Sequence, residues 1–198
     1  GNVDPSGVTN AYAVGARLNG AEIHRFTPVI GTEQNSDGTW NVRTEKGNIH
    51  TEWIVNAAGL WGREVAKMAS INLPLQPTEH QYFVTETIDE IKNHKNRLPS
   101  VADRDGEYYL RQEGKGLLIG AYEKNYKLWA EQETPKDFGH DLFDDDLERI
   151  EENILRALDR VPIAGSAGIK RVINGPMIWS PDSNVLFGPI PEIKNYFC

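Results

Sequence analysis

The residues best suited to chemistry form one short run, Trp53-Ile54-Val55-Asn56-Ala57-Ala58-Gly59-Leu60-Trp61, in which an apolar strand gives way to tiny residues and then to a helix-forming segment. Tiny side chains let a backbone approach a ligand closely, and the amides at a helix start favour a phosphate. The same pattern also suits a tight strand-to-helix turn packed only on protein. Elsewhere the titratable residues are scattered. Taken alone, His80 reads as a hydrogen-bonded sheet residue beside Gln81 and Tyr82, Tyr108 and Tyr109 as a core and a surface aromatic, and Arg111 as an exposed strand arginine. His24, His50, His94 and His140 have no metal-ligand spacing with one another or with Cys198, so no metal site is expected. The acidic group Asp141, Asp144, Asp145, Asp146, Glu148, Glu151 and Glu152 reads as a solvated helix start that complements the helix dipole. No Gly-x-Gly-x-x-Gly follows a strand; Gly114, Gly116 and Gly120 come nearest, in a hairpin-like stretch with no helix after it.

Those residues need a scaffold, and the pattern supplies one. Asp4-Pro5 opens a helix with Val8, Ala11, Tyr12, Gly15 and Leu18 on one face, ended by Gly20. A three-stranded meander follows over 28–34, 39–45 and 48–55, turned by Asp37-Gly38 and Lys46-Gly47. A helix is expected over about 60–69, with Trp61, Val65 and Met68 inward. From Leu73 prolines punctuate short strands at 80–85, 108–112 and 116–120. A helix over 143–161 carries the stripe Leu147, Ile150, Ile154 and Leu158, with Asp144–Asp146 in its first turn and Pro162 closing it. The stretch 169–179 reads as a strand interrupted by Gly175-Pro176. Helices and mostly antiparallel strands without steady β-α-β alternation predict an α+β substrate domain inserted into an α/β framework.

Bulk properties exclude some classes. The 198 residues are 39% hydrophobic and 25% charged, ordinary for a soluble globular protein, and the net charge of −8 argues against non-specific nucleic-acid binding. Cys198 is the single cysteine, so no intrachain disulfide can form. No apolar run is long enough for a membrane helix, and no signal peptide is visible, which makes a soluble, cytoplasmic protein the expectation. The start at Gly1 and the apolar ending Asn195-Tyr196-Phe197-Cys198 suggest a piece of a longer protein.

Taken in order, Gly1-Asn2-Val3-Asp4-Pro5, the Ala-rich helix, Gly20-Ala21, Asp37-Gly38-Thr39-Trp40 and Val55–Trp61 resemble the D-amino-acid-oxidase-like flavoproteins. His80-Gln81-Tyr82, Tyr108–Glu113, Asn174-Gly175-Pro176, Ser180-Pro181-Asp182, Gly188-Pro189 and Asn195-Tyr196 narrow the resemblance to the dimethylglycine and sarcosine dehydrogenase group. It runs the whole length of the chain, with Val185 a departure where proline is common.

The resemblance implies FAD as cofactor, with the backbone of Val29 against the adenine and Ala57, Ala58, Gly59, Leu60 and Trp61 beside the phosphates. Gly188 and Pro189 belong to the cofactor side as well. It implies residues 1–72 and 177–198 as a partial FAD-binding domain and 73–176 as the substrate-binding domain. His80 and one of Tyr108 or Tyr109 would line the cavity near a substrate amine, since adjacent strand residues face opposite ways. An N-methylglycine must be neutral before hydride leaves its methyl carbon, and a histidine can hold or accept that proton near neutral pH. The dinucleotide fingerprint, a flavin-linking histidine and a tetrahydrofolate-binding region would lie outside these residues, so weak or no FAD binding by the isolated piece is expected. Electrons would pass to an electron-transfer flavoprotein or to oxygen, in the mitochondrial matrix if the source is eukaryotic. Two alternatives stay open: a regulatory protein with the same fold and no catalysis, or a flavin oxidase of another secondary amine or a 2-hydroxy acid.

Overall fold

The computed structural model describes residues 3–139, 141–191 and 193–198, so Gly1 and Asn2 of the opening motif and His140 lie outside the described residues. The chain forms two compact units, Gly1–Ala57 with Val65–Asn72 and Phe187–Cys198, and Ala58–Glu64 with Leu73–Leu186.

In the first unit, helix α1 (Pro5–Leu18) starts where expected. The carboxylate of Asp4 accepts the Gly7 N–H at 2.8 Å, and Pro5 occupies the first turn, where its missing N–H costs nothing. Its apolar stripe is solvent-facing here, with Tyr12 and Leu18 about four-fifths exposed at 78% and 82%. The meander is present as β1 (Val29–Gln34), β2 (Trp40–Thr44) and β3 (Gly47–Thr51), antiparallel in the order β1-β2-β3. Gly38 and Gly47 take φ values of 91° and 137° at the two turns, which a side chain would oppose. The expected third strand does not run on to Val55. The chain breaks at Glu52-Trp53, and Ile54–Val55 form a separate strand, β4, paired in parallel with β10 (Tyr196–Phe197). The reason is long-range: Trp53 packs on Phe197 at 5.6 Å, and Trp40 packs edge-on against Tyr196 at 5.6 Å. The Lys194 carbonyl then accepts from the Gln34 amide and the Trp40 indole.

The second unit is built on a five-stranded antiparallel sheet in the order β6-β7-β8-β5-β9. Its strands are β5 (Gln76–Thr85), β6 (Val101–Asp103), β7 (Tyr108–Glu113), β8 (Gly116–Ala121) and β9 (Ile169–Trp179). One face is packed against α4 (Glu151–Arg160) and the turn after it, around Phe83, Tyr108, Leu110, Leu117, Ile119 and Ala157. The expected stripe holds: Ile150 is 1% exposed, and Leu147, Ile154 and Leu158 pack on the same core.

Three expectations are corrected here. β9 is continuous through Gly175-Pro176, because it is an edge strand and a proline there forfeits no ladder bond on its open side. Asp144–Asp146 precede the helix rather than capping it. The segment 147–150 is a 3-10 turn, and Asp146 is drawn away by Gln81, whose side chain bonds both its N–H and its carbonyl, and by Arg149. The helix expected over 60–69 is a 3-10 turn, Gly59–Trp61, followed by the six-residue α2 (Gly62–Lys67). Its buried positions are Gly62, Arg63 and Ala66, with Trp61, Val65 and Met68 only partly covered. A short helix α3 (Asp89–Lys92) and strand β6 were not foreseen. Among the described residues no helix is long and apolar enough to cross a membrane.

Candidate functional site

Cross-strand register decides which side chains share the uncovered face of the five-stranded sheet. Tyr109 is opposite Gly120, Gly120 opposite Tyr82, His80 opposite Gly175, and Gln76 opposite Trp179. Directly opposed residues point the same way, so His80, Tyr82, Tyr109 and Trp179 lie on one face, while Tyr108, Leu110, Phe83 and Ile119 lie on the helix side. Of the two adjacent tyrosines, Tyr108 is thus 2% exposed in the core, and Tyr109 is the one presented beside His80's neighbours.

The centre of that face is a residue the sequence reading did not single out. Tyr122, 46% exposed, has its ring 5.1 Å from His80, 5.6 Å from Tyr109 and 6.2 Å from Trp179. The available signal was alternation: Tyr122 is two positions beyond Gly120, hence on the same face. Gly120 itself makes room, since a Cβ there would collide with the Tyr109 ring.

Burial lowers the pKa of His80, and the nearby Arg149 guanidinium lowers it further, so the imidazole is neutral at physiological pH. Burial, with Tyr122 and Tyr82 close by, pushes the Tyr109 phenol up to about 12, so it remains a hydrogen-bond donor. The face therefore offers a neutral base and a protonated phenol among aromatic rings, chemistry suited to an amine. Arg111 is engaged by Glu113 at 2.6 Å.

Beneath His80, on the other side of its strand, is a buried ionic cluster. Arg149 bonds Glu123, reaches Asp146 at 3.0 Å and lies 3.6 Å from Glu79, close enough for attraction but beyond hydrogen-bond length. Glu79 also takes Lys127 at 2.8 Å and the Asn174 amide at 3.1 Å. Burial raises the Glu123 pKa.

The residues expected on the cofactor side are divided: Val29, Ala57, Gly188 and Pro189 fall in the first unit, Ala58, Gly59, Leu60 and Trp61 in the second. Val29 begins β1 at a register shift before Gly31, an irregularity of the ladder. Gly59 has φ 54°, and nothing lies within 4 Å of the place a Cβ would take. With the helix behind it so short, close backbone approach at Gly59, rather than a helix dipole, is what the turn offers a diphosphate. Gly188 exchanges both backbone bonds with Cys198, at 2.9 and 3.1 Å. Pro189 has no N–H and the Gly188 N–H is taken by Cys198, so these two can offer a cofactor backbone carbonyl acceptors and van der Waals contact but no free amide. Taken by itself, the Ala58–Trp61 turn has the open backbone at Gly59 that a diphosphate requires.

The whole chain, residues 1–198, matches the DAO family of FAD-dependent oxidoreductases, and the chain belongs to that family. It is 45% identical to human mitochondrial dimethylglycine dehydrogenase over 202 residues, covering all of this chain and 23% of that protein. To human mitochondrial sarcosine dehydrogenase it is 37% identical over 202 residues, covering all of this chain and 21% of that one. The chain thus spans under a quarter of these relatives' length. L-proline dehydrogenase from P. horikoshii shares the fold at a TM-score of 0.77 and 28% identity, over 98% of this chain and 49% of that one. The family resemblance and mixed α/β architecture read from the residues are borne out.

Proposed function

We propose that these residues form the amine-binding side and part of the cofactor-binding side of a flavoprotein that oxidatively demethylates an N-methylglycine, dimethylglycine or sarcosine. The observation that carries this reading is the convergence of a neutral His80, a protonated Tyr109 and Tyr122 on one sheet face. The two dehydrogenase relatives support the substrate class. Residues 1–72 and 177–198 are assigned to the FAD-binding side and 73–176 to the substrate side.

A substrate arriving as an ammonium must lose a proton before it can be oxidised. His80 accepts that proton at a ring nitrogen, its neutrality secured by burial. The Tyr109 hydroxyl donates to the substrate carboxylate or amine and fixes its orientation, and the rings of Tyr122 and Trp179 give the methyl groups an apolar seat. On the family resemblance Val29 is assigned to the adenine and Ala57, Ala58, Gly59, Leu60 and Trp61 to the phosphates. FAD, when bound, supplies a two-electron acceptor for the methyl hydrogen.

The test is anaerobic mixing of the complete protein with dimethylglycine, sarcosine, L-proline and a 2-hydroxy acid. Flavin bleaching by the N-methylglycines with release of formaldehyde is expected, and repeating the turnover with oxygen or an electron-transfer flavoprotein identifies the acceptor. Bleaching by the hydroxy acid or proline alone rejects the substrate assignment. A flavin-loaded protein reduced by none of them points to a binding role.

A further inference from the structure

The turn that the proposed function places beside the cofactor is not held by its own strand alone. Within the second unit, Ala58–Glu64 is fastened to the irregular loop 128–138 by two charged side chains that the reaction does not use. Arg63, 6% exposed, donates through Nε to Glu64 at 3.2 Å, through Nη1 to the carbonyls of Leu75 and Glu131 at 3.4 Å each, and through Nη2 to the Ala130 carbonyl. Glu64 accepts the Thr134 N–H at 2.9 Å, and the Thr134 hydroxyl donates to the Leu60 carbonyl at 3.2 Å. The Trp61 indole donates to the Pro135 carbonyl at 3.0 Å.

The loop has no ladder or helix of its own to satisfy these carbonyls. Ala130 sits at φ 48°, a strained position for a residue with a Cβ, and its carbonyl is taken by the guanidinium. The loop's other end of influence is β5. Trp129 N–H bonds the Pro77 carbonyl at 3.0 Å, the Gln76 amide bonds the Trp129 carbonyl at 2.9 Å, and Leu128 bridges Thr78, two residues before His80. A continuous set of contacts therefore runs from the turn through Arg63 and Glu64 to the loop and on to the strand that carries His80.

We propose that Arg63 and Glu64 are positioning residues that latch the 128–138 loop to the Ala58–Trp61 turn, so that occupation of the turn by the cofactor orders the loop and, through Leu128 and Trp129, the start of the strand bearing His80. This rests on the cofactor placement proposed above. A guanidinium suits the site because four bonds, to Glu64 and three carbonyls, leave from three separate nitrogens, one more than the three donors of a single ammonium can make. Coupling is reciprocal: whatever the cofactor gains from an ordered loop, the loop gains from the cofactor.

Hydrogen exchange of the complete protein, FAD-loaded and FAD-stripped, tests the latch directly. Amides of 130–134 are expected to lose protection on stripping. Arg63→Lys should show that loss already when loaded, with roughly tenfold weaker FAD binding and a raised amine KM at nearly unchanged kcat. Glu64→Gln, which keeps an acceptor for Thr134, should fall between. Equal protection of the loop in loaded and stripped wild-type protein overturns the latch, as does an Arg63→Lys enzyme with wild-type FAD affinity and KM. Should Arg63→Lys not fold, the wild-type comparison decides alone. Gly59→Ala, strained by the positive φ at the turn but with its Cβ in open space and no side-chain bond to the loop, separates the two layers. If it leaves FAD affinity unchanged, the cofactor placement fails; if it weakens FAD while Arg63→Lys does not, the latch alone fails.

Discussion

Replacing Arg149 by methionine removes the guanidinium that neutralises the ionic cluster under His80, while keeping a similar side-chain length. Three side chains matter, and all are almost fully covered: Arg149 at 6%, Glu79 at 7% and Glu123 at 4% side-chain exposure. Glu79 retains Lys127 at 2.8 Å, whereas Glu123 keeps no cation among the described ion pairs. Breaking a buried pair by deleting one partner costs about 3–5 kcal/mol, because a charge is left in a poorly hydrated site. For a chain of this size that corresponds to a fall in melting temperature of roughly 6–20 °C. The sign with pH follows from Glu123. Burial already raises its folded pKa above the ordinary 4.5, and losing Arg149 raises it further. A raised carboxyl is stabilising below its unfolded pKa and loses that contribution as pH rises through the folded value, so the variant's deficit grows from acid toward neutral. Thermal melts by circular dichroism at mildly acidic and neutral pH measure both quantities. The double variant Arg149→Met/Glu123→Leu should recover most of the loss. A single variant within about 1 kcal/mol of the parent at neutral pH would falsify the view that this cluster is electrostatically closed.

His80 should titrate below 6.5, because burial and Arg149 both oppose its charged form; its contribution to stability is therefore intact above 6.5 and declines as pH falls toward the folded value. In the complete enzyme the acid limb of kcat/KM should lie below 6.5 and disappear in His80→Gln, and a limb that survives unchanged removes the base role. Gly120→Ala places a Cβ against the Tyr109 ring, and an overpacking cost of about 1–3 kcal/mol is expected together with a raised amine KM. Urea unfolding and steady-state kinetics check it, and an unaffected KM would mean that Tyr109 does not touch the substrate.

What could be read before the structure was what local pattern controls. Asp4-Pro5, Asp37-Gly38 and Lys46-Gly47 each act within a few residues, and the helix start and both hairpin turns fall where those residues put them. Alternation showed that only one of Tyr108 and Tyr109 could face the site, and the cross-strand register showed which. What stayed hidden depends on partners far along the chain. Nothing near Trp53 announces that Phe197 breaks its strand, nothing near Asp146 announces Gln81, and the proline in β9 looks like a stop until the strand is known to lie at a sheet edge. Tyr122 was overlooked for the same reason, since its neighbours come from three other strands. Arg63 carried no motif, and its value lies entirely in carbonyls contributed by a loop.

The side-by-side pairing of Ile54–Val55 with Tyr196–Phe197 has a kinetic meaning. Two-residue strands so far apart in sequence can associate only after a very large loop closes, so this ladder should be among the last contacts to form and the first to open. The segment leading into Ala57-Ala58-Gly59 therefore acquires its final path late, once the intervening sheet already exists. A proteolytic cut anywhere between Leu73 and Leu186 would turn this pairing from an intramolecular event into one that two separate pieces must find by diffusion, and the approach to the small-residue turn would be the first element to fray.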